Sequence, residues 1–263
     1  MLLLRSILFN ILFVIITFLE MVCFAPIYFL LPRKAAWFVP KFWAKTVIIL
    51  LKYIAGTGMQ ITGLENIAKI RQMSKSYIIA AKHQSAWETF ALLPYLDEPS
   101  YVLKRELMWI PFFGWFMAKV GMIAINRGSP LQSLKKIVEQ SKVKIAQSRQ
   151  ILIFPEGTRT NPGDAPNYKS AGVTTIYREL NIPVLPIAHN AGLYWGKGDF
   201  RRYPGVIKVE ILPPIQAGLD KKLFMDKMVS EIESSSNKLI LEAAIEYPSA
   251  KSEEAANKIK SIL

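Results

Sequence analysis

A histidine and a glutamate lie five positions apart in the segment KHQSAWE, directly after a run of apolar residues. The run, residues 77–81, predicts a strand buried on both faces, and ligands of open α/β sheets gather at the carboxyl ends of such strands. Ser85 could cap a helix that starts at Ala86 and so bring Glu88 back toward His83. A carboxylate there would make one imidazole nitrogen a donor and leave the other as the acceptor that a general base needs. A histidine after a strand can also be purely structural.

The segment FPEGTR, residues 154–159, follows another apolar run and offers groups suited to an anion. The sequence Pro-Glu-Gly-Thr predicts a tight turn in which Gly157 lets backbone amides approach a ligand. The guanidinium of Arg159 has a planar fork that matches a phosphate. On their own, the same residues could form an ordinary turn with a surface arginine. Arg127, which follows the predicted strand 122–126, is by itself also typical of a solvated position.

Taken in order, four segments of the chain resemble the four motifs of the 1-acylglycerol-3-phosphate acyltransferase family, within the wider glycerolipid acyltransferases. The family's first motif is a His and an Asp separated by four residues, and its third is Phe-Pro-Glu-Gly-Thr-Arg. The second and fourth are of the Gly-x-x-x-Ile-x-Arg and Val-x-Pro-Ile types. The matching residues are His83 with Glu88, Gly121 to Arg127, Phe154 to Arg159, and Val184 to Ile187, over roughly residues 60–215. Glu88 departs from the pattern, because it is one methylene longer than Asp with the same charge.

The resemblance implies an enzyme that transfers a fatty acyl group from an acyl thioester to 1-acyl-glycerol-3-phosphate (lysophosphatidate) and forms phosphatidic acid. In this interpretation His83 takes the proton from the acceptor hydroxyl, while Glu88 orients His83 and stabilises the imidazolium. No metal and no cofactor is implied, and the donor is either acyl-carrier protein or acyl-coenzyme A. The residues implied to hold the phosphate and glycerol of the acceptor are Arg127, Glu156, Gly157, Thr158 and Arg159.

Other residues near these motifs have less defined roles. Lys104, Arg105 and Lys169 are basic candidates for contact with the phosphate or the donor, although such side chains are usually solvated. His189, which follows the fourth motif, is interpreted as structural. The apolar stretch 112–120 predicts a helix that forms either part of an acyl-chain groove or part of the core.

Between residues 57 and 248 short β-rich runs alternate with helical stretches, which predicts an α/β catalytic domain whose mostly parallel sheet is covered by helices. The predicted strands are 58–62, 77–81, 100–104, 122–126, 150–154, 183–188 and 206–212. The predicted helices are 86–95, 112–120, 130–147, 170–180 and 219–246. The serine triplet 234–236 could interrupt the last helix, and residues 249–263 suggest a solvated, loosely held helical tail.

The first 56 residues are predicted to form a membrane-embedded pair of helices. Residues 6–31 are almost continuously apolar, and about 20 such residues span a bilayer, although Glu20 and Pro26 argue against a simple span. The stretch 40–56 places lysines on one narrow stripe of an otherwise apolar helix, as in interfacial amphipathic helices. We therefore predict two helices embedded in one leaflet, with Glu20 paired to a lysine of the second. A single span, a signal peptide and a core hairpin of a soluble protein are the alternatives.

Charge and hydrophobicity limit the possible partners. The 263 residues carry a formal net charge of +13, and 51% of them are hydrophobic. The basic residues are scattered among apolar runs, which favours an anionic membrane over nucleic acid as the partner. With one cysteine and two histidines, neither an intramolecular disulfide nor a typical multi-histidine zinc site is expected. The predicted location is the inner (cytoplasmic) membrane, with the catalytic domain on the cytoplasmic side.

Three other functions compete with this interpretation. An acyltransferase could use another acceptor, such as glycerol-3-phosphate or a lyso-aminolipid, and no sequence feature separates these. A hydrolase that passes the acyl group to water usually has a Gly-x-Ser-x-Gly nucleophile elbow, which the sequence lacks. A non-enzymatic membrane-binding module would explain only the N-terminus and the charge.

Overall fold

The computed structural model describes residues 1–126 and 128–262, and within them it contains seven strands and ten α-helices. The strands are β1 (Thr57–Thr62), β2 (Ile78–Ala81), β3 (Ser100–Lys104), β4 (Ile123–Ile125), β5 (Ile151–Ile153), β6 (Val184–His189) and β7 (Gly205–Ile211). The helices are α1 (Leu2–Leu30), α2 (Arg33–Ala36), α3 (Phe38–Leu50), α4 (Glu65–Met73), α5 (Glu88–Ala91), α6 (Phe113–Lys119), α7 (Pro130–Ala146), α8 (Ser170–Leu180), α9 (Lys221–Glu246) and α10 (Ala250–Ile262).

The strands form one sheet in the order β1-β7-β6-β2-β5-β3-β4. In the described part of the chain, five of the six strand pairings are parallel, and the β6–β7 pair is antiparallel. The central strands β2, β5 and β6 are fully buried, which explains why they are continuous apolar runs in the sequence. The predicted fold class, an α/β fold with a mostly parallel sheet, is confirmed.

Alternate side chains of the central strands belong to two different cores. On one side Ile78 and Ile153 pack in a cluster with α7, α8 and α9. On the other side Ile79 and Leu152 belong to a cluster that includes side chains of α1, α3 and α5. The N-terminal helices therefore help to cover one face of the sheet instead of standing apart from the α/β domain.

Helix α1 has the length and apolar composition of a membrane span, and most of its surface is exposed. It nevertheless contacts the α/β domain near both of its ends. Asn10 donates through its amide nitrogen to the carbonyl oxygen of Phe200 at 2.9 Å, and the Tyr28 hydroxyl donates to the carbonyl oxygen of Phe116 at 2.8 Å. Because a helix of 29 residues is about 43 Å long, these contacts align α1 along the surface of the domain.

The second predicted N-terminal helix is α3, continued by a π-helical turn at Leu51–Ala55 that ends at Gly56 in a left-handed conformation. The predicted pairing of Glu20 with a lysine of this helix is wrong: burial raises the pKa of Glu20, and the group that opposes this shift is the side chain of Thr46. Thr46 is half-buried, whereas its neighbour Lys45 is exposed. The neighbour of Glu20 on this helix is therefore the hydroxyl of Thr46, where the sequence suggested the ammonium group of a lysine.

Two predictions about the C-terminal region are also wrong. The serine triplet does not interrupt α9, because Ser235 and Ser236 are buried and Ser235 Oγ donates to Glu210 Oε2 at 2.6 Å. The predicted tail is helical, as α10, but it is not loosely held, because it packs against α9 and buries Ala255 and Ile259. Small serine and alanine side chains allow both close approaches.

Two local elements differ from the predicted pattern. The predicted helix 86–95 is the shorter α5 followed by a 3₁₀ turn at Leu93–Tyr95, where Pro94 lacks the N–H that would continue an α-helix. Helix α4 was not predicted, because it is only nine residues long and its buried apolar side chains are just Ile67 and Ile70.

Candidate active site

His83 and Glu88 form a hydrogen-bonded pair beyond the carboxyl end of β2. The Nδ1 atom of His83 lies 2.8 Å from Oε1 of Glu88. Because an ionised carboxylate only accepts hydrogen bonds, Nδ1 carries the proton and Nε2 is left as an acceptor. The contact predicted between these two side chains is present, with the longer glutamate in place of aspartate.

The same carboxylate also organises the start of α5. Its Oε1 accepts the backbone N–H groups of Gln84 and Ser85 at 3.0 and 2.8 Å. Because Ser85 Oγ in turn accepts a backbone N–H two residues further on, Ser85 and Glu88 resemble a capping box. Complete burial raises the pKa of Glu88, but the two histidines and the Ser85 amide outweigh it and hold that pKa below its ordinary value. Glu88 is therefore an anion fixed at one place.

The backbone of His83 is bonded to the loop that follows β5. Its N–H donates to Oε2 of Glu156 at 2.7 Å, and its carbonyl oxygen accepts the N–H of Thr160 at 2.9 Å. The hydroxyl of Thr160 donates to Oε1 of Glu156 at 3.1 Å. Glu156 is buried, so its carboxylate is engaged by groups of the chain itself.

A buried charge network lies behind this loop. Lys82 Nζ contacts Oε1 of Glu156 at 2.5 Å and Oε1 of Glu233, on α9, at 2.6 Å. The hydroxyl of Tyr168 donates to the same oxygen of Glu233 at 2.7 Å. Burial lowers the pKa of Lys82, but the two carboxylates raise it by more, so that it stays a cation. The network connects α9 to the residue that precedes His83.

Gly157, Thr158 and Arg159 lie in the turn after β5. Gly157 has a φ of 67°, which favours glycine, and its N–H donates to the carbonyl oxygen of Phe154 within the turn at 2.9 Å. Thr158 and Arg159 line the cavity described below, and the Arg159 carbonyl accepts Lys197 Nζ at 3.1 Å. Arg127, the arginine of the second motif, lies outside the described residues.

A cavity of about 550 Å³ lies beside His83. This volume is within the range of roughly 300–1,000 Å³ that is typical of small-molecule sites. The wall of the cavity is mostly apolar. The N-terminal helices α1 and α3 contribute to it, and so do β3 and α6 of the α/β domain. The larger apolar side chains that line it include Met21, Trp37, Trp43, Phe90, Tyr101, Phe113, Phe116, Met117 and Phe154.

Two aromatic residues, Phe154 and His189, pack next to the His83–Glu88 pair. The ring of Phe154 stacks on the imidazole of His83, with centroids 4.1 Å apart and an interplanar angle of 17°. His189 is fully buried, donates from Nε2 to the carbonyl oxygen of Lys82 at 2.8 Å, and accepts the N–H of Ala191 at Nδ1 at 3.2 Å. Burial lowers the pKa of His189, although the nearby Glu88 carboxylate raises it. These bonds agree with the structural role predicted for His189.

The additional basic candidates have different surroundings. Lys104 lines the cavity, and its Nζ lies 3.3 Å from Oε1 of Glu106. The guanidinium of Arg105 lies over the ring of Trp109, 5.9 Å from its centroid. The side-chain methylenes of Lys169 pack beside the α-carbon of Gly157. Among these three, Lys104 is the one at the cavity.

The sequence analysis did not identify Lys82, Glu233, Phe154 or Lys197 as site residues. A signal existed for Lys82, since a lysine at the end of a fully buried strand requires a buried counter-charge. No local signal marks Glu233, which is 151 positions from Lys82 and lies on a helix with many other charged residues.

Comparison with known proteins identifies the class to which this fold and site belong. Residues 58–190 match the family model described as Acyltransferase. The 1-acyl-sn-glycerol-3-phosphate acyltransferase of Pseudomonas aeruginosa is 42% identical over 189 residues, which are 72% of this chain and 71% of that protein. The protein of the same name from Limnanthes alba is 28% identical over 70% of this chain and 64% of its own length.

A solved structure shows the same fold. The crystal structure of the 1-acyl-sn-glycerophosphate (LPA) acyltransferase PlsC from Thermotoga maritima matches with a TM-score of 0.73 and 21% identity, covering 90% of this chain and 97% of that one. The chain therefore has the fold of an acyltransferase. Within this fold a histidine–carboxylate pair lies beside an apolar cavity. The chain belongs to the 1-acyl-sn-glycerol-3-phosphate acyltransferase family. The resemblance carried by the four motifs is confirmed.

Proposed function

We propose that this enzyme transfers a fatty acyl group from an acyl thioester to the free hydroxyl of 1-acyl-glycerol-3-phosphate and so forms phosphatidic acid. The observation that carries the proposal is the His83–Glu88 pair in the wall of an apolar cavity. The identity of 42% with the Pseudomonas aeruginosa enzyme supports this acceptor over glycerol-3-phosphate or a lyso-aminolipid.

The geometry of the pair supports direct transfer. His83 accepts the hydroxyl proton at Nε2 while the hydroxyl oxygen attacks the thioester carbonyl carbon. The carbon–sulfur bond then breaks, and the imidazolium returns the proton to the leaving thiolate. Glu88 stabilises the imidazolium through Nδ1 and fixes the orientation of the ring.

We assign the acceptor phosphate to Arg159 and Thr158, which line the cavity with His83, and to Arg127 by its motif. For Glu156 the observed bonds favour a positioning role over the predicted contact with the acceptor, because its carboxylate holds the His83 amide and Lys82. The Gly157 amide is used inside its own turn, so glycine serves the positive φ. A displacement of about 1 Å can cost on the order of a hundredfold in rate, so holding the backbone of the base matters.

We propose that the cavity receives a fatty acyl chain. The stretch predicted as an acyl-chain groove or a core helix is α6, and Phe113, Phe116 and Met117 of this helix line the cavity. Burying apolar methylenes there is favourable by about 0.8 kcal/mol each.

We propose that residues 1–56 embed in one leaflet of the inner membrane, with the catalytic domain on the cytoplasmic side. The contacts of α1 with the α/β domain near both of its ends favour a helix that lies along the domain over one that projects across the bilayer. The net charge of +13 suits an anionic surface. Acyl-carrier protein or acyl-coenzyme A would then deliver the acyl group from the cytoplasm.

The test is a transfer assay with purified protein, both donors, and lysophosphatidate, glycerol-3-phosphate and a lyso-aminolipid as acceptors. We expect phosphatidic acid from lysophosphatidate, and a loss of at least a thousandfold in turnover for His83→Ala, in line with the removal of a catalytic base. Transfer only to one of the other acceptors would show that the acceptor is misassigned. Full turnover by His83→Ala would remove this residue from the mechanism.

A further inference from the structure

A short segment of the catalytic domain exposes large apolar side chains next to the N-terminal helices. It consists of residues 107–115, from the 3₁₀ turn Arg105–Trp109 into the start of α6. Trp109 is 68% exposed and Trp115 is 58% exposed, and the segment's other exposed apolar side chains are Leu107, Ile110 and Phe112. Exposed apolar patches of this kind mark interaction surfaces.

This surface is continuous with the exposed face of α1. The ring of Phe112 meets Phe18 of α1 edge to face, with centroids 6.4 Å apart, and forms a shallow apolar groove with Val22 and Phe29. Lys119, at the end of α6, donates to the carbonyl oxygen of Phe29 at 3.0 Å. The segment and the exposed side of α1 therefore form one apolar face.

The backbone of the segment is held in an unusual conformation. Phe112 has a φ of 62°, a region that side chains other than glycine rarely adopt. A Cβ at Gly114 would lie 2.0 Å from the carbonyl oxygen of Met108, so the chain there closes tightly on itself. Backbone strain persists where the surrounding structure enforces it, and it is concentrated at functional positions.

The inner side of the same segment lines the cavity beside His83. Leu107 and Phe113 contribute to the cavity wall, while Trp109 and Trp115 point to the outside. The same segment therefore contributes both to the cavity wall and to the exposed apolar face.

We propose that residues 107–115 are a third lipid-contacting element, which lies in the same leaflet as the N-terminal helices and places the cavity wall against the acyl chains of the bilayer. Tryptophan side chains favour the interfacial level of a bilayer. The exposed guanidinium of Arg105, which lies over the ring of Trp109, borders the segment and suits anionic head groups. This inference rests on the proposed membrane location, and it adds a surface of the catalytic domain to the membrane contact of the N-terminal helices.

The test attaches an environment-sensitive fluorophore to single cysteines and adds vesicles of phosphatidylcholine and phosphatidylglycerol. The native Cys23, exposed on α1, reports on the N-terminal helices. In a Cys23→Ser background, Ile110→Cys reports on the segment, and Ile245→Cys, an equally apolar and 82% exposed position on α9, is the matched control. We expect blue-shifted emission at positions 23 and 110 and no shift at 245.

The outcomes separate the two proposals. A shift at 23 without one at 110 would overturn the third element and leave the membrane location intact. No shift at either position would remove both, and a shift at 245 equal to that at 110 would show unspecific adsorption and overturn the inference. As a second measurement, Trp109→Ser with Trp115→Ser should turn over lysophosphatidate in vesicles about tenfold more slowly, with unchanged turnover in detergent micelles. Equal slowing in both would place these residues in the fold instead.

Discussion

At the scale of single residues, Glu88 combines two tasks in one oxygen. Oε1 orients His83 through Nδ1 and also accepts the Gln84 and Ser85 amides that start α5. In the proposed mechanism the charge of Glu88 stabilises the imidazolium, whereas the length of the side chain lets it reach the start of the helix. These tasks can be separated by substitutions that change only one of the two.

We expect Glu88→Gln to lower turnover by orders of magnitude, because it keeps the size and an acceptor oxygen but loses the charge. A neutralised orienting carboxylate in a serine protease loses about ten-thousandfold. Glu88→Asp should retain more activity than Gln, with a loss on the order of a hundredfold from misplacement. The double variant with His83→Ala should be little worse than His83→Ala alone, since the two residues act as a unit. Steady-state kinetics check this, and near-normal turnover by Glu88→Gln would exclude the assigned role.

The buried network behind His83 predicts that Glu233 is a positioning residue. We expect Glu233→Gln to lower kcat about tenfold to a hundredfold with little change in KM for lysophosphatidate, because it loosens Lys82 and Glu156 without touching the acceptor. Glu231→Gln is the matched control on the same helix, where Glu231 pairs at 3.7 Å with Lys227 near the surface. A variant that lowers only thermal stability, with normal kcat, would show that the network serves the fold alone.

At the scale of elements, α10 supports the loop that carries Arg159. A Cβ at Gly163 would lie 2.5 Å from the carbonyl oxygen of Ala255, so this loop packs directly on the helix. Lys258 of α10 also lies 3.3 Å from Asp164 of the loop. The C-terminal helix thus acts as a base for the loop after β5, which a loosely held tail could not do.

Substitutions along α10 separate a packed helix from a loose tail. We expect Ile259→Ala to destabilise the protein by about 2–5 kcal/mol, as for a buried isoleucine, and so to lower Tm. Ile262→Ala is the control, since Ile262 is 57% exposed on the same helix, and its effect should stay within about 0.5 kcal/mol. Thermal unfolding in detergent measures both, and equal Tm values for the two variants would contradict the packing described here.

At the scale of the whole molecule, the N-terminal helices and the α/β domain build one structure. Side chains of α1 and α3 complete the core on one face of the sheet and form one wall of the cavity. The proposed division into 1–56, 57–248 and 249–263 therefore describes roles of segments and not independently folding parts.

Removing residues 1–56 tests this unity. We expect the remaining chain to aggregate and to show no measurable transfer activity even in detergent, because one face of the sheet and one wall of the cavity would be open. Far-UV circular dichroism and the transfer assay check this result. A soluble, active fragment 57–263 would show instead that the N-terminal helices are a detachable anchor.

Local sequence was sufficient for the features that depend on neighbouring residues. All seven strands appear within one residue of their predicted bounds, because each is a short β-rich run between turns, and the three central strands are also fully buried and continuously apolar. The contact of His83 with Glu88 follows from their spacing across one turn, which needs no distant partner. The family and its motifs were equally accessible, since each motif is contiguous in the chain.

Only the tertiary structure decided which distant groups meet. The pairing of Lys82 with Glu233 joins residues 151 positions apart, and Glu20 met a threonine instead of the lysine suggested by helical spacing. The serines of α9 remained helical because they are buried against β7, where Ser235 bonds Glu210. The cavity itself is formed by side chains from Thr17 to Lys197. Such arrangements depend on how helices pack on the sheet, and helical periodicity fixes the faces of an element but not its partner.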